Sequence, residues 1–177
     1  MNKKFKWIYL VVGTIILTVL DQITKMWAVA TLKDKPAIVL IKDVLELRYL
    51  ENRGAAFGIL QGRAIPLLIF TFALACMIIY VYHKVPEGRK FILFQICLIF
   101  LLAGAFGNMI DRFVNQYVVD FIYFKLIDFP TFNVADCYVT VSVTIIAVIY
   151  LFVLKEDDIN FSAVIFNFNR KANTVGS

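Results

Sequence analysis

The stretch WIYLVVGTIILTVLDQITKMWAVA, Trp7 to Ala30, decides the fold. Crossing a hydrocarbon layer of ~30 Å takes about 20 helical residues at ~1.5 Å each, and this run is long enough while carrying only two charges, Asp21 and Lys25. Lys3, Lys4 and Lys6 before it give it the outline of a signal peptide, but no small-residue cleavage site follows, so it is expected to stay as a first helix. Working outward, three further windows meet the same test: Ala64–Tyr82, Phe91–Ile110 and Ala135–Leu154. The expected fold is an all-α membrane protein of four transmembrane helices, one domain over residues 1–154, followed by a cytoplasmic tail at 155–177.

Composition agrees. Of 177 residues, 61% are hydrophobic and only 18% charged, against about half and about a quarter in an ordinary soluble domain. The net charge of +5 could suggest nucleic acid, but the basic residues cluster at the ends of apolar runs, where they orient membrane helices. Lys3, Lys4 and Lys6 lie at the N-terminus and Lys84, Arg89 and Lys90 between spans two and three, which puts both termini in the cytoplasm. The first outer loop is basic too, through Lys33, Lys35, Lys42, Arg48, Arg53 and Arg63, but Asp34, Asp43, Glu46 and Glu51 interleave with these. Cys76, Cys97 and Cys137 lack CxxC spacing, so neither a disulfide framework nor a zinc site follows. The single histidine, His83, ends an apolar run beside Lys84, as an interfacial residue does, which excludes a histidine-based triad and a His-rich metal site.

Two segments outside the spans read as strands: LELRYLEN, Leu45 to Asn52, and VVDFIYFKL, Val118 to Leu126. Together they predict a small extracytoplasmic β-cradle with Asp120 at the mouth of the bundle. In the tail, Phe161, Val164, Ile165, Phe166 and Phe168 lie along the cytoplasmic interface or are disordered.

Charged groups in a membrane need a reason. Asp21 and Lys25 share a helical face four residues apart, and an unpaired charge there costs about 2.5–3.5 kcal/mol, so both should face the bundle. They act either as a bolt between helices or as a substrate contact. Span three ends in AGAFGNMIDR, Ala103 to Arg112, whose small residues permit close helix approach. Asn108 and Arg112 share a face, and Asp111 points elsewhere; taken alone, this segment reads as a plain interfacial helix end. Asn133 and Asp136 have the form of a helix N-cap, which accounts for both without chemistry. It does not account for Asp120, an acid among Val118, Val119, Phe121 and Ile122. Asp136 is its best-placed partner, and two carboxylates in one partly dry site hold a single proton near neutrality.

DQITK (21–25), NRGAAFG (52–58), AGAFGNMIDR (103–112), VVDF (118–121) and FPTFNVAD (129–136), in that order on four spans, closely resemble the bacterial lipoprotein signal peptidases, or signal peptidase II. The resemblance implies an aspartic endopeptidase of the bacterial cytoplasmic membrane, working near the outer face. Its substrates are prolipoproteins, cut just before a cysteine modified with diacylglyceryl. Asp120 and Asp136 take the positions of the catalytic pair. Asp21, Lys25, Asn52, Gly54, Gly104, Asn108, Arg112, Asn133 and Ala135 carry over as substrate-binding, site-shaping positions. The asparagines can bond a peptide backbone without adding charge, and Arg112 can hold a substrate carbonyl. The expected partners are substrate and membrane lipid, with no nucleic acid, metal or cofactor, and the expected unit is a monomer. Ala103 stands where the family often has a second glycine, and the tail after Leu154 is longer than typical.

Two other classes compete. A small transporter would use Asp21, Lys25, Asp120 and Asp136 as an ion path, and a scaffold would use them only to pair and cap. A transport path needs polar groups across the whole membrane, and spans two and four offer only scattered threonines and a serine.

Overall fold

A computed structural model describes residues 3–54 and 64–152. The tail at 155–177, and residues 55–58 of the NRGAAFG motif, lie outside the described residues. Four long helices are present: α1 (Lys3–Leu32), α2 (Ala64–Lys84), α3 (Ile92–Asn115) and α4 (Val134–Phe152). All four are long and apolar enough to cross a membrane. Their outward faces carry large apolar side chains such as Ile15, Ile69 and Phe72, each more than half exposed, as lipid rather than water requires. Helix α3 is central: half of its most apolar window is buried, against 17% for each other helix.

Close approach to α3 depends on two glycines. A Cβ at Gly104 would stand 2.7 Å from the Ala135 carbonyl oxygen and 2.8 Å from Val139 Cγ2 on α4. A Cβ at Gly107 would run into the Asp21 carboxylate of α1. The small residues of AGAFG therefore bring α1 and α4 into contact with α3, as anticipated. The helix continues past Ile110, the expected end of span three, and stops at Asn115, where Gln116 turns left-handed (φ 66°) and donates its N–H to the Arg112 carbonyl.

Outside the bundle lies a three-stranded antiparallel sheet in the order β1-β2-β3: β1 (Ile38–Ile41), β2 (Leu45–Asn52) and β3 (Val118–Phe124). The strand β2 matches the LELRYLEN reading, and β3 starts at Val118 as expected. Its final residues differ, because Lys125–Ile127 close into a 3-10 turn. The additional strand β1 rests on the apolar, mostly β-branched run at 38–41, and the turn after it places Asp43 at φ 59°. Leu50 pairs with Asp120 and Asn52 with Val118, and a register shift falls between Leu47 and Leu50. Val119 and Phe121 point from β3 onto Ala28 and Leu32 at the end of α1, which fastens the sheet to the bundle. A second apolar cluster, including Leu10, Tyr82, Phe94 and Leu102, fills the bundle itself.

Candidate active site

Helix α4 begins with a reciprocal cap. Asn133 Oδ1 accepts the Asp136 N–H at 3.0 Å, and Asp136 Oδ2 accepts the Asn133 N–H at 3.2 Å. The N-cap reading is therefore correct, and it does not exhaust Asp136, whose other oxygen accepts Asn108 Nδ2 at 2.8 Å. Asp120, on β3 and 1% exposed, accepts Asn52 Nδ2 at 2.8 Å on one oxygen and Asn133 Nδ2 at 2.7 Å on the other. Both carboxylates are thus held by neutral amides, which fix their geometry without neutralising them.

What aims those amides lies behind them. Asn108 Oδ1 accepts Lys25 Nζ at 3.0 Å and Asn133 Nδ2 at 3.1 Å, so its own NH2 is left facing Asp136. Asn52 Oδ1 accepts the Gly54 N–H at 3.0 Å, which turns its NH2 toward Asp120. Lys25 also meets Asp21 Oδ2 at 2.9 Å and Asp111 Oδ2 at 3.1 Å, and so occupies all three ammonium protons. Asp21 Oδ1 in turn accepts the Ala135 N–H at 2.9 Å, one of the N–H groups that the first turn of α4 leaves without a helical partner.

A cavity of about 620 Å³ opens onto this arrangement. Asp120, Asp136, Asn52, Asn108 and Arg112 stand in its wall, beside apolar groups such as Leu50 and Val139. Asp21, Lys25, Gly104, Asn133 and Ala135 do not. They were expected to touch substrate, but they are buried behind the cavity with Asp21, Asn133 and Ala135 at 0% exposure; Asp21 and Lys25 bond each other, and Asn133 bonds Asp120, Asp136 and Asn108. For Asp21 and Lys25 this geometry is the bolt. Gly54 is also buried, and its carbonyl accepts Arg112 at 3.1 Å. The carbonyl that Arg112 holds belongs to its own chain.

Asp111 is the residue that sequence reasoning passed over. It does point away from Asn108 and Arg112, but into the bundle: 3% exposed, it accepts Gln22 Nε2 at 2.9 Å and the Val119 N–H at 3.1 Å besides Lys25. It thereby ties α1 and α3 to the residue preceding Asp120. The signal was present in the helical spacing, since positions 104, 107 and 111 fall on one face and the first two are glycines.

Electrostatics distinguish Asp120. Burial, and then the nearby Asp136 carboxylate, push its carboxyl up to about 7, against the lowering influence of the Asn52 and Asn133 hydrogen bonds and the Lys25 charge. A carboxyl that titrates near neutrality beside a second carboxylate is equipped for proton transfer.

Comparison with known proteins places the chain. A family model described as signal peptidase (SPase) II matches residues 13–152. A lipoprotein signal peptidase of Clostridium novyi is 40% identical over 141 residues, covering 78% of this chain and 92% of its own length. One from Clostridium tetani is 41% identical over 143 residues, covering 78% and 88%. Among solved structures, a bacterial membrane enzyme determined by the in meso method has a TM-score of 0.71 at 32% identity, covering 80% of this chain and 87% of its own. A second has a TM-score of 0.72 at 31% identity, covering 82% and 94%. With four helices able to span a membrane and this agreement over most of its length, the chain is a multi-pass membrane protein that belongs to the signal peptidase II family.

Proposed function

We propose that the chain is an aspartic endopeptidase that removes signal peptides from bacterial prolipoproteins, cutting just N-terminal to the diacylglyceryl-modified cysteine. The observation that carries this reading is the convergence of Asp120 and Asp136, from separate elements, on one cavity with an apolar wall and a polar end. Near neutrality the pair holds one proton. A water between the carboxylates loses its proton to the ionised one and attacks the scissile carbonyl, while the protonated partner donates to the carbonyl oxygen. Collapse of the tetrahedral intermediate breaks the C–N bond, and the departing amine takes up the proton gained from water. The scheme calls on no metal, covalent intermediate or organic cofactor. One chain supplies all of its groups, so the working unit is a monomer.

The termini face the cytoplasm and the sheet and cavity face outward, where an apolar signal helix in lipid and its lipidated cysteine arrive together. The test is cleavage of a diacylglyceryl-modified prolipoprotein by purified wild type, Asp120→Asn and Asp136→Asn, with folding checked by melting. The expected result is a loss of ~10³-fold or more in both variants, given the ~10²–10⁴ supplied by a positioned acid or base. Undiminished cleavage in either folded variant sinks the mechanism.

A further inference from the structure

Strand β2 presents Arg48, Leu50 and Asn52 in a row to the cavity, with the register shift between Leu47 and Leu50 at the start of that row. Asn52 ends that row on Asp120. Arg48 begins it, two residues before Leu50, which is the partner of Asp120 across the ladder, so about 7 Å along the strand from Asp120 at ~3.3 Å per residue. The guanidinium is fixed from two sides: its Cζ lies 3.4 Å from the centroid of the Tyr123 ring, and its Nε donates to Thr131 Oγ1 at 2.9 Å. Among the described residues, its two terminal NH2 groups have no hydrogen bond or ion pair. Nearby acids are engaged elsewhere, Glu46 with Lys125 at 2.8 Å, Glu51 with Arg53 at 2.8 Å, and Asp128 with the Tyr123 hydroxyl at 2.6 Å. A half-buried guanidinium whose plane is already set, with its outer fork unfilled, is a receptor for a planar acceptor such as a carboxylate.

We infer that Arg48 is a substrate-reading residue that takes an acidic side chain on the mature side of the scissile bond, within the first few positions after the lipidated cysteine. This rests on the peptidase reading above. The side follows from placement: Arg48 stands on the sheet, outside the spans, whereas the apolar wall formed by Val139 and Val141 belongs to α4 and suits the signal helix. The distance follows from the strand, since an extended peptide from Asp120 to Arg48 covers about two residues at the same rise. A lipid headgroup is the less suitable occupant, because β2 is the central strand and Arg48 opens into the cavity of the dyad rather than onto a sheet edge.

The test uses the full chain in phosphatidylcholine nanodiscs, with and without phosphatidylglycerol. Its substrates are diacylglyceryl prolipoproteins differing only in Glu, Gln or Lys at one of the second to fifth positions of the mature part. At one of these positions kcat/KM for Glu is expected to exceed that for Gln by about tenfold, the scale of one charge-assisted pair. Arg48→Gln brings the ratio close to one, and Arg48→Glu reverses it in favour of Lys. Arg48→Lys, which keeps the charge without the stacked plane, retains the sign of the preference. Each ratio is taken on one preparation and does not depend on how much of it is folded. Equal kcat/KM for all three residues in wild type, or a Glu preference that survives in Arg48→Gln, overturns the inference. So does a variant that loses a response to phosphatidylglycerol and leaves the substrate ratio unchanged. Wild type that cleaves nothing brings down the peptidase reading itself, a failure distinct from cleavage without discrimination.

Discussion

Among the described side chains, two lysines of α1 are buried, one toward each end of the helix, and the bundle holds them in different ways. Lys6, 4% exposed, donates to backbone carbonyls, to Val85 at 2.6 Å and to His83 at 3.4 Å, while the Tyr82 hydroxyl donates back to the Lys6 carbonyl at 2.8 Å. Lys25, 3% exposed, donates only to side chains: two carboxylates and the Asn108 amide. The carbonyl clasp fastens the start of α1 to the end of α2. A side-chain hub transmits its orientation to Asn108, and through Asn108 to Asp136 and Asn133. The same residue type in the same helix is an anchor at one end and part of the site's foundation at the other.

The widest separation between the two should come from deleting each cation. Lys25→Met leaves Asp21 and Asp111 buried without their partner, at a cost of about 3–5 kcal/mol for a broken buried pair, and cleavage should fall with it as Asn108 loses its aim. Melting and kcat measured on the same detergent preparation check both parts. If Lys25→Met melted like wild type, the hub would be a surface pair in effect and the contrast would disappear.

A second, smaller separation is expected in pH. The Asp120 carboxyl stands at about 7, raised from 3.8 by burial and by Asp136. Between those values the folded chain binds more protons than the unfolded one, so this contribution to stability is full below about 3.8 and is lost as pH rises through about 7. Cleavage should decline over the same upper limb, as the pair loses its shared proton. Melting temperature against pH, for wild type and Asp120→Asn, should show that slope in the first and not in the second. A slope that survives in Asp120→Asn would place its origin elsewhere.

The smallest effect is expected at the clasp. Lys6→Met removes donors to two carbonyls near a helix end and should cost about 1 kcal/mol, with kcat unchanged. A loss equal to that of Lys25→Met would erase the difference between the two ends.

Much of the site was legible in the sequence because its unusual residues are unusual locally. Asp120 is an acid in an apolar strand, and Asp21 and Lys25 are charges in an apolar helix; each needs a partner wherever the chain goes. The cap at Asn133 and Asp136 spans three residues and can be read from spacing alone. What could not be read is which polar groups face the cavity and which lie under it. Asn52 and Asn133 both bond Asp120, yet only Asn52 lines the cavity.

By itself the sequence determined the four spans, because crossing a bilayer obliges each segment to satisfy its backbone within itself and to show lipid an apolar face, and both demands are local. It also determined that acids had to meet across elements, since charge without a partner is costly in such surroundings. Tertiary structure alone decided the partners. Ala135 and Asp21 lie 114 positions apart and Lys25 and Asn108 lie 83 apart, and no periodicity within a helix encodes a contact between helices. It likewise decided that Asp111 would brace the strand that carries Asp120 and that Arg48 would open into the cavity, because both outcomes depend on contacts between separate elements, Asp111 of α3 with Val119 of β3 and Arg48 of β2 with Tyr123 and Thr131.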